Sequence, residues 1–129
     1  MKTHKDPRHL KRIQIIQELF SWGFNKQSLL LRNKKSKKSG KIQPIISSIR
    51  KIDKLIAKSA PDRPIEQINR VDLSILRLAV YELVVEKNAP PKVIIDEAVE
   101  LGKQFGSDSS PAFINGALGK LLEIKGIKT

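Results

Sequence analysis

Four side chains near the start of the chain, Arg8, His9, Lys11 and Arg12, crowd cations into what reads as the first turns of a helix. Asp6-Pro7 opens that helix, an N-cap acceptor followed by proline at the first helical position. The positive end of the helix dipole favours acids there, so these cations work against it. A local cost without structural return points to function. Free backbone N–H groups, the dipole and the cations together form a surface for anions such as phosphate. Arg8 and Arg12 lie one turn apart, and a guanidinium grips phosphate in a bidentate fork that an ammonium lacks.

Other chemistry finds little footing. The two histidines, His4 and His9, sit in this basic stretch with no carboxylate cluster beside them to complete a metal site. The absence of cysteine excludes disulfides and thiolate metal sites. Neither G-x-x-x-x-G-K-[ST] nor G-x-G-x-x-G occurs to cradle a nucleotide. Glu97 and Glu100 lie three apart and read as dipole partners at the start of a helix. Arg77, alone on an apolar helix, needs a partner if buried, and Tyr81 or Asp53 is in a position to supply one. The expectation is a protein without enzymatic activity, metal or cofactor.

Charge distribution supports the anion reading. Residues 1–60 carry 16 Lys and Arg against 3 Asp and Glu, whereas residues 61–129 carry 9 against 10. The net charge of +12 therefore belongs to the first half. A one-signed field of this kind is the footprint of a polyanion partner, and nucleic acid fits better than a membrane. No long helix combines a basic face with an exposed apolar one. The N-terminus has no signal-peptide core and no transmembrane stretch follows, so a soluble, cytoplasmic protein is expected.

These side chains need a scaffold, and the sequence centres it on Val71–Val85. Val71, Ile75, Leu78 and Leu83 share one helical face, and Leu76, Ala79, Val80 and Val84 widen it. A helix apolar over most of its circumference must be wrapped by others. Asn69 is its expected N-cap, with Asp72 at the capping-box position, and Asn88-Ala89-Pro90-Pro91 its stop. The first helix places Leu10, Ile13, Ile16 and Phe20 on its inner face, extended by Ile15, Leu19 and Trp22, and ends at Gly23. A short Leu-rich helix over 25–32 precedes a lysine-rich mobile loop over 33–41. Ile42 to Ala60 keeps a 3.6-residue period as one helix. Single-turn Pro64–Ile68 leads into the central helix. Further helices follow with Ile94, Ala98, Leu101 and Phe105, and with Ile114, Ala117, Leu118 and Leu121. Gly106 separates them, and Gly116 reads as a point of close helix approach. The expectation is an all-α bundle of about six or seven helices in two small subdomains, 1–60 and 61–129.

Several of these segments resemble the NusB family of transcription antitermination factors. They are Ile52–Ile56, Arg70–Leu83, Pro91–Gly106 and Phe113–Leu118, together with the opening helix through Arg8, Arg12, Gln17, Leu19 and Phe20. Asp96, Gly102 and Gly119 depart from the residues usual there. The resemblance implies a helical fold and a complex with the small-subunit ribosomal protein NusE. It further implies binding to boxA, a single-stranded element of ribosomal RNA leaders, and modification of RNA polymerase so that it reads through terminators. On that footing Arg8, His9, Lys11 and Arg12 are expected to contact phosphates, and Phe113 to lie near the bases, since single strands are read by cations plus aromatic groups. Trp22 and Asp72 are expected to face the protein partner. NusB-like domains also precede the catalytic domain of a ribosomal RNA cytosine methyltransferase. The chain length leaves no room for a nucleotide-binding sheet, and no catalytic cysteine exists, so the alternative is expected as an RNA-binding or protein-interaction module associated with ribosomal RNA modification.

Overall fold

A computed structural model describes residues 6–24 and 40–129, and among these the backbone forms helices and no strand. The elements are α1 (Pro7–Phe24), α2 (Gln43–Ser47), α3 (Ile49–Ser59), α4 (Arg70–Val80), α5 (Pro91–Phe105) and α6 (Ser110–Lys125). A 3₁₀ turn, Ile65–Gln67, precedes α4, and a π-helical turn, Tyr81–Glu86, follows it. The all-α expectation is met. The expected helix over 25–32, His4 and all but the last two residues of the lysine-rich stretch lie outside the described residues.

Helix α4 is the axis of the packing. Its side chains from Ser74 to Val80 are all buried, and α1, α3, α5 and α6 wrap it. Asn69 caps it as expected, its side chain accepting from the backbone N–H groups of Val71 and Asp72 at 2.8 and 3.3 Å. Beyond Val80 the helix widens: Lys87 N–H donates to Glu82 O at 2.8 Å, an i→i+5 bond. Lys87 then takes a left-handed conformation (φ 54°) and stops it, ahead of Pro90 and Pro91. A single apolar cluster joins the elements, running from Ile15, Ile16 and Leu19 through Ile52 and Ile56 to Leu118 and Leu121. Full burial of each such side chain contributes about 1.5–3 kcal/mol relative to exposure.

Three local expectations give way. The helix expected over Ile42–Ala60 breaks at Ser48, where Ser48 N–H turns back to Ile45 O at 3.0 Å. Ser47 Oγ donates to Gln43 O at 3.0 Å, the local side-chain competition that weakens a serine-containing helix. Helix α1 runs past Gly23 to Phe24, and its inner face is turned by about one residue. Leu10 and Phe20 are 47% and 39% exposed, while His9, Ile15, Ile16 and Leu19 are buried. Gly116 faces open space; the close approach is at Gly102, where an added Cβ would sit 2.8 Å from Ile114 Cδ1, and at Gly106, where it would overlap Ser110.

Candidate functional site

The rotation of α1 decides what its cations do. Asp6 Oδ1 accepts from the Arg8 backbone N–H at 2.9 Å and so caps the helix. From that start, Arg8 and Lys11 point outward and are exposed. His9 falls on the inner face and is only 3% exposed. Arg12, one turn on, is largely covered, its side chain 12% exposed. Where the sequence suggests four cations on one anion-facing surface, the structure divides them into an exposed pair and a buried pair.

The buried pair is met by carboxylates from two other elements. His9 Nδ1 lies 3.0 Å from Glu97 Oε1, and Nε2 lies 3.0 Å from Gln104 Oε1, both on α5. Arg12 donates from Nε and Nη2 to the two oxygens of Glu82 at 2.8 and 2.7 Å, a fork-on-fork pair with the π-helical turn. Its Nη1 stands 3.7 Å from Glu97 Oε1, so Arg12 and His9 share that carboxylate. Two oxygens facing the two ring nitrogens suit an imidazolium, which donates at both. With His9 protonated, two cations balance two carboxylates.

Ionisation follows from this geometry. The hydrogen bond to Glu97 raises the His9 imidazole above its ordinary value of 6.5, against the burial that disfavours its charged form. The Glu82 hydrogen bonds likewise hold the Arg12 guanidinium even more firmly protonated than usual. Removing one partner from such a buried arrangement strands an uncompensated charge, at about 3–5 kcal/mol. The cluster therefore pins the first turns of α1 against α5 and the π-helical turn.

This cluster borders an open cleft of about 580 Å³, whose lining also includes the cations Arg8, Lys11 and Lys41, the acids Asp6 and Glu86, and Tyr81. Burial, then the charge of Glu86, pushes the Tyr81 phenol up, so it stays a neutral donor. Among the described residues no group of three or more His, Asp or Glu is gathered to hold a metal. None of their helices is long and apolar enough to cross a membrane.

The other expected site residues stand apart from this end. Trp22 is fourteen residues along α1 from Arg8, a rise of about 21 Å. It is half-buried, with the Arg77 guanidinium 5.4 Å from its ring centroid. Arg77 is buried and forks onto Asp53 at 2.9 Å through Nε and Nη2, so Asp53 rather than Tyr81 is its partner. Asp72 does not close a capping box. It is 2% exposed and accepts from Ser110 Oγ at 2.6 Å, tying α4 to the start of α6. Phe113, one turn further along α6, is half-buried under the Arg63 guanidinium, 4.2 Å from the ring centroid.

Glu82, Glu97 and Gln104 are the residues that sequence reasoning missed. A signal existed for Glu97: it occupies the apolar stripe of α5 between Ile94 and Leu101, where a dipole partner has no reason to be. Glu97 is buried with His9 instead.

Residues 9–123 match the model of the NusB family. The chain is 42% identical over 84 residues to a Streptomyces avermitilis protein named transcription antitermination protein NusB, a match covering 65% of this chain and 58% of that protein. A Streptomyces coelicolor protein of the same name is 48% identical over 75 residues, 58% of this chain and 53% of its own length. These matches thus span little more than half of the curated relatives. Among solved structures, T. maritima NusB superposes with a TM-score of 0.76 at 32% identity, covering 95% of this chain and 93% of that one. A chain in the crystal structure of a plectonemic RNA supercoil gives the same TM-score of 0.76 at 22% identity, covering 95% and 98%, a likeness of fold alone.

Proposed function

Because the chain belongs to the NusB family, we propose that it is a transcription antitermination factor acting on single-stranded boxA-type RNA of ribosomal RNA leaders. In this reading it binds that RNA together with the ribosomal protein NusE, and the complex supports read-through by RNA polymerase. The observation that carries the reading is the exposed pair Arg8 and Lys11, on a helix end that carboxylates from two other elements hold in place. A cation on a pre-set scaffold loses less conformational entropy on binding phosphate than one on a free segment. Arg8 and Lys11 make the phosphate contacts, and His9 and Arg12 serve binding from behind by fixing that edge. Phe113 offers part of its ring to a base. Trp22 belongs to the partner face, and Asp72 contributes by fixing the start of α6.

Fluorescence anisotropy with a boxA-type RNA and a scrambled control tests the proposal. The chain with NusE should prefer boxA, and its affinity should exceed that of the chain alone by more than about tenfold, or about 1.4 kcal/mol of coupling. Equal affinity with and without NusE, or no preference over scrambled RNA, contradicts it.

A further inference from the structure

The brace behind the cationic edge is itself ionisable. The groups that face His9 among the described residues come from three elements: Glu97 and Gln104 on α5, Arg12 and Asp6 on α1, and Glu82 on the π-helical turn through its fork with Arg12. In the protonated state the ring donates to Glu97 and to Gln104, and the four charged groups His9, Arg12, Glu82 and Glu97 balance. Loss of the proton changes two things at once. A net negative charge is left among buried groups directly behind Arg8 and Lys11, where an arriving phosphate meets it as repulsion. One ring nitrogen also turns from donor to acceptor, so Gln104 must rotate its amide to keep the contact or give it up. Either change loosens the end of α1 that presents the exposed cations.

We propose that His9 and Glu97 are a positioning pair that links anion binding at Arg8 and Lys11 to the uptake of one proton by His9. The inference rests on the RNA-binding reading for the identity of the anion and adds to it a control by pH. The hydrogen bond that His9 donates to Glu97, which raises the imidazole above 6.5, sets the side on which the change falls. RNA affinity is full below 6.5 and declines as pH rises through the raised value. Linkage is reciprocal, so bound RNA must raise the His9 value by the same factor that the proton tightens RNA binding.

Two titrations over pH 5.5–8.5 test this. Affinity for a single-stranded boxA-type RNA is measured by anisotropy for the chain with NusE, and His9 is followed by NMR with and without the RNA. A His4→Gln variant identifies the His9 resonance. The expected result is a fall in affinity of about fivefold across the His9 titration and a matching upward shift of about 0.7 pH unit on RNA binding. In Glu97→Gln, which keeps an oxygen at the same place without its charge, both the step and the His9 midpoint should move to lower pH. Affinity that stays flat while His9 titrates overturns the coupling, and so does an unchanged His9 midpoint on RNA binding. A step that stays put in a folded Glu97→Gln protein does the same. If that variant fails to fold, the wild-type pair of titrations decides alone. No RNA binding at pH 5.5, where His9 holds its proton, overturns the RNA reading and the coupling with it; binding without the step overturns the coupling alone.

Discussion

Two buried arginines anchor opposite ends of α1, and they do so on different terms. At the far end, Arg77 forks onto Asp53 and lies beside Trp22, with Asp53 still 25% exposed. Water can therefore reach the carboxylate of that pair, although the Arg77 guanidinium is itself buried. At the near end, Arg12 forks onto Glu82 and leans on Glu97, and both carboxylates are buried more deeply, at 10% and 3%. Glu97 in turn holds His9. The first is a two-group ion pair whose carboxylate is open to solvent; the second is a four-group cluster that includes the imidazole of His9. The same forked geometry thus makes a simple strut in one place and a proton-sensitive clamp in the other, because depth of burial decides how much each charge depends on its partners.

The largest effect should separate the two in stability. Arg12→Met leaves Glu82 and Glu97 buried without their shared guanidinium, and should destabilise by about 3–5 kcal/mol in urea denaturation. Arg77→Met leaves an Asp53 that water can reach, so about 1–3 kcal/mol is expected. Equal losses would show that depth of burial is not what distinguishes them.

A smaller difference should appear in RNA binding by the complex with NusE. The clamp stands behind Arg8 and Lys11, so Arg12→Met should weaken binding about tenfold, on the order of 1.4 kcal/mol. Arg77→Met, beside Trp22 at the other end of α1, should leave affinity within about twofold. A larger loss from Arg77→Met would move the binding surface to the far end.

The smallest effect is the response to pH. A group whose folded-state pKa is raised contributes stability that is full below its unfolded value and is lost as pH rises through the folded one. His9 is such a group, raised above 6.5 by Glu97. Denaturation midpoints should therefore fall as pH increases from 6.5 through the raised value, and His9→Gln should remove most of that slope. In Arg77→Met the slope should persist. A slope abolished by Arg77→Met and kept in His9→Gln would reverse the assignment of strut and clamp.

How far the sequence foretells these regions follows from the kind of signal each carries. Helix α4 is legible because its apolar residues Ile75, Leu76, Leu78, Ala79 and Val80 cover most of its circumference, and a helix of that kind must be wrapped by others. Asn69 as cap is legible because cap chemistry demands a specific answer, whereas the lone charge of Arg77 narrows its partner to Tyr81 or Asp53 and the fold selects Asp53. The face of α1 is misjudged because apolar periodicity counts Leu10 and Phe20 inward and His9 outward. Carboxylates from the π-helical turn and α5, 70 and 88 residues away in sequence, draw Arg12 and His9 inward beside Ile15, Ile16 and Leu19. Long-range pairing of that kind leaves only one local trace, the acid Glu97 within an apolar stripe, and that trace does not name the partner. The break at Ser48 is hidden for a different reason, since the isoleucine period continues across it. Gly102 and Gly116 show the same limit, as only the neighbouring helix decides which glycine is crowded.

The central claim is that the braced edge of α1, rather than the more highly charged lysine-rich stretch, engages the RNA. It is tested most directly by comparing Arg8→Ala plus Lys11→Ala with a variant in which Lys34, Lys35, Lys37 and Lys38 are neutralised, each assayed with NusE against boxA-type RNA over a range of salt. The edge variant should bind more weakly than the lysine variant and keep its helical circular dichroism. Its log-affinity against log-salt slope should flatten by about 0.7 for each phosphate that is no longer neutralised. Weaker binding and a flatter slope in the lysine variant would contradict the claim.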